Sequence, residues 1–511
     1  MTILINNLGY YLNQVKIGKI IGIKNPVFYQ IFNDNNICVF EGTSSKPSFD
    51  INTGEFVSEI NFSIVKKTGN YYIISKTERS NLFSIKNNIY DKLESSLLYM
   101  LHLQKCGCEV TDDRYKTYSH PACHTKLAQI YGTEKFIDVS GGYHDAGDYG
   151  RYVTPGAKMI MELLLAYEIN KDIKYLEAAK YELDFFKKLI REDGAVYHKV
   201  TRKNFTGMVM PDTDKETQII SPVSTTATAD FVGVTAFAST IIKEEKDLYL
   251  ELSKKAYNFL ESNVNIPFYN PKEITTGQYE DDKSTDEIYF AKLSLYNATK
   301  DSYYLNDILD YIPKTETEII GLGWEEMSLF GTYLFLRDEN NSKNELFSIL
   351  SKDLKFTLDT LVKRSHLDPF DITLEHYPWG SNAYLMNNAN AILFGYLLYM
   401  DTEYLNISSK LINYILGTNS LNISFVTGFG NNYPVNPHHR PSVALKKAMP
   451  GMLVGGPAEG LFDEIIKREK PDSPKAKTYI DHTESYSTNE ICIYWNSPFM
   501  LALTMFKHFN L

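Results

Sequence analysis

The sequence predicts a multidomain protein in which a small β-sandwich precedes a larger, all-α domain of paired helices. Three observations carry this. The first ~80 residues alternate short runs of β-branched and aromatic residues with turn signals. From about Ile89 the apolar period lengthens to that of a helix, with Tyr90, Leu93, Leu97, Leu98 and Leu101 on one face. About twelve helical segments then follow, largely in pairs, and an even number is what a toroid of α-hairpins requires.

The strands read as Val27–Phe32, Ile37–Phe40, Ser58–Val65 and Tyr71–Ile74, separated by Asn-Asp-Asn-Asn, Lys-Pro-Ser and Lys-Thr-Gly-Asn turns. The period changes between Lys76 and Asn88, which divides the chain into a sandwich domain, residues 1–82, and a helical domain, residues 83–511. Helices are expected near 88–104, 155–170, 173–190, 224–242, 246–264, 283–299, 302–312, 323–337, 343–363, 381–400, 403–416 and 488–508. Two loops, 105–154 and 417–487, are rich in Gly, Pro, His and Asp. They are far longer than compact domains normally tolerate, so function is expected there.

Composition narrows the partners. The 511 residues carry a net charge of −11 with no Lys/Arg block, which excludes binding along a nucleic-acid backbone. Mean hydropathy is −0.27 and no apolar run approaches the ~18 residues of a membrane span, so no membrane partner is expected. The first residues lack a basic n-region and a sustained apolar core. The chain as written is therefore expected to be cytoplasmic, or secreted if a signal has been removed, and to act as a monomer. The 37 Tyr and 28 Phe can line a sugar-binding cleft, although an AT-biased genome gives the same excess. Five cysteines are too few for a disulfide scaffold, and three of them, Cys106, Cys108 and Cys123, are clustered as metal ligands often are.

Four segments carry chemistry. In Asp138–Val153 the carboxylates Asp145 and Asp148 are three apart in a run with glycines at 141, 142, 147 and 150, which lets both point into one cavity. Two close acids ionise unequally, so one can take a proton from water while the other orients it. A capping loop before the helix at Pro155, or a calcium loop, uses the same residues. In Ser485–Pro498, Glu490 stands three after Ser487. That is a capping box, or a carboxylic acid held protonated among Ile491, Tyr494 and Trp495. Cys106, Cys123, His124 and His144 supply a tetrahedral Cys₂His₂ set for a structural zinc, with Cys108 a rival for Cys106 and unliganded thiols the plain alternative. The Pro-His-His-Arg turn ending at Arg440 offers donors to hydroxyl groups, or is a surface turn.

Together these segments resemble glycoside hydrolase family 9, in the group that carries an N-terminal immunoglobulin-like domain. The resemblance covers nearly the whole chain. Asn6–Leu12 looks like that group's first strand, and Gly141–Gly150 resembles the family's nucleophilic-water loop. Phe425–Arg440 and Tyr486–Asn496 resemble its two C-terminal signatures. Val196–Thr201, Ser221–Asp230, Trp379–Asn382 and Leu453–Pro457 are further matches. Each is weak alone; their shared order makes the set specific.

The resemblance implies an immunoglobulin-like sandwich followed by an (α/α)6 barrel, and an inverting mechanism on β-1,4-linked glucans. It implies Asp148 as general base, Asp145 as the carboxylate that helps hold the water, and Glu490 as general acid. It further implies His438 and Arg440 as sugar-binding residues and Cys106, Cys123, His124 and His144 as ligands of a structural zinc. An inverting pair needs its carboxyls about 6.5–9.5 Å apart. Calcium is a further candidate, with Asp282, Asp286 and Glu287 the residues singled out, and a solvated helix start the plain alternative for the same residues. The chain departs from the family in having Tyr143 before His144, where many members have Trp. It also has only three Trp (Trp324, Trp379, Trp495), which argues against a platform for crystalline polymer. The expected activity is an endo-β-1,4-glucanase on soluble β-1,4-linked chains or oligosaccharides. The alternatives are an exo-acting member, such as an exo-β-glucosaminidase or cellodextrinase, and a non-catalytic sugar-binding protein.

Overall fold

The computed structural model describes residues 1–263, 265–311 and 321–510. It contains two compact units: Met1–Met100, Leu358–His438 and Lys446–Leu511 make one, and Leu101–Thr357 with His439–Leu445 make the other. Among the described residues no single helix is long and apolar enough to cross a membrane.

The first unit opens with ten strands: β1 (Thr2–Leu4), β2 (Gly9–Tyr10), β3 (Ile17–Ile21), β4 (Phe28–Asn33), β5 (Cys38–Thr43), β6 (Ser48–Asp50), β7 (Glu55–Asn61), β8 (Gly69–Ser75), β9 (Glu78–Arg79) and β10 (Phe83–Ile85). They form two sheets, β1-β3-β7-β6 and β2-β10-β8-β4-β5, with β9 on β8. Ile3, Tyr10, Ile20, Ile31, Ile60 and Phe83 fill the space between the sheets. Tyr10 meets Phe62 and Phe83 edge to face at 5.2 and 5.6 Å. Each such buried side chain contributes about 2 kcal/mol relative to exposure. All four expected strands are present. The third ends at Asn61 because Phe62 turns into the core, its carbonyl accepting from Val65 N. β10 carries the sandwich just past residue 82.

The helices are α1 (Asp91–Leu103), α2 (Val153–Asn170), α3 (Ile173–Phe186), α4 (Thr225–Ile241), α5 (Lys246–Ser262), α6 (Thr285–Thr299), α7 (Ile308–Tyr311), α8 (Ser328–Leu336), α9 (Glu345–Leu367), α10 (Ser381–Tyr399), α11 (Thr402–Ile415), α12 (Arg440–Ala444), α13 (Glu464–Glu469), α14 (Tyr486–Asn489) and α15 (Ile493–Asn510). In the second unit α2, α4, α6 and α8 lie side by side in that order, while α3 and α5 pack on α2 and α4. The sequence explains the division. α4 is buried continuously from Thr225 to Ser239, whereas α5 buries only Tyr249, Ser253, Ala256, Tyr257, Phe259 and Leu260, one side of the helix. In the first unit α10 packs on α11 and α15. The sandwich is tied to α11, with Asn7 N donating to Leu416 O at 2.8 Å and Asn6 Nδ2 to Asn413 Oδ1 at 2.9 Å.

Several helices differ from expectation: the one expected over 323–337 begins at Ser328, and the one expected over 343–363 runs on to Leu367. The segment 302–312 is a 3₁₀ turn, Ser302–Leu305, followed by the single turn of α7. Residue 312, like residue 264 at the end of the helix expected over 246–264, lies outside the described residues. The last helix starts at Ile493 rather than 488, because Glu490 is extended (φ −74°, ψ 161°). A small sheet completes the second unit: β11 (Ala128–Ile130), β12 (Phe136–Ile137), β13 (Arg151–Tyr152), β14 (Lys199–Thr201) and β15 (Ile219–Ile220), in the order β12-β11-β15-β14-β13.

Candidate active site

The Asp145–Asp148 loop runs from β12 to β13, so the small sheet fixes both its ends. Asp145 N donates to Gly150 O at 2.9 Å, and Gly150 N donates to Asp148 Oδ2 at 2.9 Å, folding 145–150 into one turn that carries both carboxylates. Of the four glycines the sequence singles out, Gly141 and Gly142 have left-handed backbones, with φ of 111° and 73°. A Cβ on Gly142 would lie 2.7 Å from the Phe185 ring, so only glycine brings the loop this close to α3.

The two carboxylates have unlike surroundings. Asp145 is fully buried; its Oδ2 accepts from the Tyr279 hydroxyl and, among the described residues, its Oδ1 has no hydrogen-bond partner. Burial, and then the neighbouring Asp148, push its carboxyl well above the usual range, with the Tyr279 bond opposing them. Asp148 keeps 7% of its surface in contact with solvent.

Buried charge surrounds the loop. Arg151 Nη1 donates to Val139 O at 2.6 Å and to Gly141 O at 2.7 Å. Glu182, on α3, accepts from Tyr143 N at 2.8 Å, and burial raises its carboxyl to about 8. Lys199, on β14, donates from Nζ to Asn270 Oδ1 at 2.6 Å; burial lowers it to about 7, with Asp148 and Glu280 opposing. Arg440 is 5% exposed, and its guanidinium is engaged with the protein: Nη1 donates to Gly147 O at 2.8 Å and Nε to Thr206 O at 3.1 Å.

Glu490 and His438 belong to the first unit, where a parallel bridge joins them and His438 N donates to Asn489 O at 2.9 Å. The capping box does not form: Ser487 lies inside α14 and its Oγ donates to Asp463 Oδ2 at 2.5 Å. The His438 ring Nδ1 meets Thr483 O at 2.6 Å. Beside it the rings of Trp379, Phe462 and Tyr486 cluster with centroids 5.2–5.7 Å apart, each partly exposed. An aromatic surface is thus present with one Trp, the others being Phe and Tyr.

Cys106, Cys123, His124 and His144 converge, all their ligand atoms within 4.8 Å of one another. Cys106 Sγ lies 3.5 Å from His124 Nδ1, Cys123 Sγ 3.7 Å from His144 Nε2, and the two histidine nitrogens are 3.3 Å apart. Cys108 is not in this group; it accepts from Tyr181 OH at 3.2 Å. Burial opposes charge on Cys106, but hydrogen bonds from Cys123 and His124 and the charges of Arg151 and His144 outweigh it and hold the thiol well below its ordinary value. His124 turns its Nε2 to Asp214 Oδ2 at 3.4 Å, and Arg202 anchors Asp214 at 3.0 Å. A second group joins Asp281, Asp286 and Glu287. Asp281 thus takes the place of the expected Asp282, which is exposed and accepts from Tyr269 at 3.0 Å. Asp230, fully buried and with neither carboxylate oxygen hydrogen-bonded among the described residues, feels the charges of Asp286 and Asp281. Sequence reading missed Tyr279, Glu182, Asp214 and Asp230, whose partners lie far away along the chain.

Comparison with known proteins places this helical domain, with acids in its long loops, among the sugar-cleaving enzymes. The sequence pattern of glycosyl hydrolase family 9 matches residues 90–503, and that of the cellulase N-terminal Ig-like domain matches residues 1–80. The chain belongs to glycosyl hydrolase family 9. A cellodextrinase of Butyrivibrio fibrisolvens is 33% identical, with 98% of this chain and 99% of that protein aligned. A single mutant of a thermostable endoglucanase from Alicyclobacillus acidocaldarius has a TM-score of 0.93 at 30% identity, with 99% of both chains covered. A zinc-binding triple mutant of a family 9 endoglucanase gives 0.92 at 27% identity, covering 97% of this chain and 99% of that one. The fold is therefore an Ig-like domain followed by a helix-rich α/α-barrel catalytic domain.

Proposed function

We propose that the enzyme hydrolyses β-1,4-glucosidic bonds in soluble glucans or cello-oligosaccharides with inversion, acting as an endo-β-1,4-glucanase. The observation that carries this is the Asp145–Asp148 turn, in which two carboxylates share one loop in unlike surroundings. With Oδ2 engaged by Gly150, Asp148 uses Oδ1 to take a proton from water as the water oxygen bonds to the anomeric carbon. Asp145, held by Tyr279, orients that water. Glu490 gives its proton to the leaving glycosidic oxygen as the C–O bond breaks, and His438 and Arg440 hold the adjacent sugar. The barrel that follows β10 carries the chemistry, and the sandwich takes no part in bond cleavage. Chromatography of early products from cellohexaose tests this: mixed short cellodextrins released as the α-anomer are expected, and a β-anomer first product sinks it. The cellodextrinase relative favours a second reading, exo action on cellodextrins, for which a single released sugar is expected.

We also propose two metals. A tetrahedral zinc, with Zn–N near 2.0–2.1 Å and Zn–S near 2.3 Å, sets N···N at about 3.3 Å and N···S at about 3.6 Å. The group at Cys106, Cys123, His124 and His144 has 3.3 Å and 3.5–3.7 Å. Four protein ligands leave no open position, so the zinc is structural and supplies cross-linking of the loop, not chemistry. The acids Asp281, Asp286 and Glu287, with Asp230 beside them, suit calcium, whose charge would offset their crowding.

A further inference from the structure

Between β14 and β15, three of five consecutive residues are apolar and exposed: Phe205 at 49%, Met208 at 36% and Val209 at 38%. Single exposed apolar residues need no explanation, but a cluster on a firmly held loop does. This loop is held along its length. Lys203 O accepts from Thr275 N at 2.8 Å, Asn204 Oδ1 from Thr275 Oγ1 at 2.8 Å, Thr206 O from Arg440 Nε at 3.1 Å, and Val209 O from the Tyr149 hydroxyl. Its backbone is therefore fixed while its apolar side chains face outward.

The cluster lies beside the candidate base. The Arg440 guanidinium is 5.5 Å from the centroid of the Phe205 ring, and the same guanidinium donates to Gly147 O, the carbonyl immediately before Asp148. Gly207, between Phe205 and Met208, is not glycine for backbone reasons, since its φ is not positive. Nor is it glycine for packing, since a Cβ there would meet nothing within 4 Å among the described residues. What the missing side chain leaves is a flat stretch between the two apolar groups.

A pyranose ring presents an apolar C–H face and a rim of hydroxyls, and it needs an aromatic surface of this kind with open space above it. We infer that Phe205, with Met208, forms the floor of a sugar subsite beside Asp148, taking one further β-linked pyranose of an oligosaccharide chain. The inference rests on the hydrolase reading proposed above. Binding there is remote from the bond being cleaved, so it is realised as faster turnover of chains long enough to reach it.

The test compares kcat/KM for cellohexaose and cellotriose in the parent enzyme and in Phe205→Ala. The hexaose-to-triose ratio is expected to fall about ten-fold in Phe205→Ala and to recover in Phe205→Tyr. A ratio within about two-fold of the parent's, at unchanged melting temperature, overturns the subsite. If Phe205→Ala does not fold, Gly207→Leu, which fills the flat stretch from a solvent-facing position, must lower the same ratio, and an unchanged ratio overturns the subsite equally. A parent enzyme that cleaves neither oligosaccharide overturns the hydrolase reading and the subsite with it. The two failures are distinct, one appearing in the parent and the other only in the variants.

Discussion

Tyr279 donates its hydroxyl to Asp145 Oδ2 from 134 positions further along the chain, and does so with its own backbone in the left-handed region at φ 51°. Such a conformation costs a bulky residue about 1–3 kcal/mol, so the surroundings must hold it. The rings of Tyr152, at 4.6 Å, and Trp324, at 5.0 Å, do so.

Tyr279→Phe keeps those ring contacts and removes the hydroxyl. Among the described residues Asp145 would then have neither oxygen hydrogen-bonded, and leaving a buried acceptor unpaired costs about 1–3 kcal/mol. Turnover of cellohexaose is expected to fall about 10- to 100-fold, while KM changes little. A kcat equal to the parent's would remove Tyr279 from the account.

Asp148→Asn and Glu490→Gln are each expected to lower kcat by at least ~10³-fold with circular dichroism unchanged, since each removes a proton-transfer group and keeps its shape. Near-parental activity in either variant would refute the assigned roles.

Zinc analysis of purified enzyme should find one ion per chain, and chelation should lower the melting temperature. Cys123→Ser is expected to fold poorly, whereas Cys108→Ser, outside the group, should fold normally. Metal-free protein that melts at the same temperature as the loaded form would exclude the site.

Acidity enters through the carboxyl cluster. A carboxyl with a raised native pKa contributes stability that is complete below its unfolded value and lost as pH rises through the native one. Burial raises Asp286 from 3.8 to about 6, and it raises Glu326, a neighbour that feels the Asp286 charge, from 4.5 to about 8. Without calcium the melting temperature should therefore fall between about pH 4 and pH 8. Calcium binds the ionised acids, so the gap between calcium and EGTA melting curves should widen as pH rises. A gap independent of pH would count against the ion.

What could be read from the sequence followed what local chemistry enforces. Four sulfur and nitrogen ligands have few ways to be satisfied in a loop, so Cys106, Cys123, His124 and His144 converge as their residue types suggest. The strand–turn rhythm and the helical period gave the sandwich and the long helices. Of the two local readings of Glu490, the capping box does not form, because the side chain that would cap, Ser487, bonds Asp463, which stands 24 positions earlier. Asp281 and Asp282 differ by one residue, and which of them faces the cluster is decided by the turn before α6. Tyr279 and Glu182 carry no mark at all in the sequence, because their partners are set by how distant segments pack.

Arg151 holds the carbonyls of Val139 and Gly141 before the acidic pair, and Arg440 holds that of Gly147 between the two acids. Guanidinium keeps its proton at every pH a protein survives. The loop is thus moored by two charges that alkali cannot remove. Lys199, which burial brings to about 7, holds Asn270 and the carbonyl of Gly277 instead, so the charge that rising alkalinity removes first is not one of the two that moor the loop.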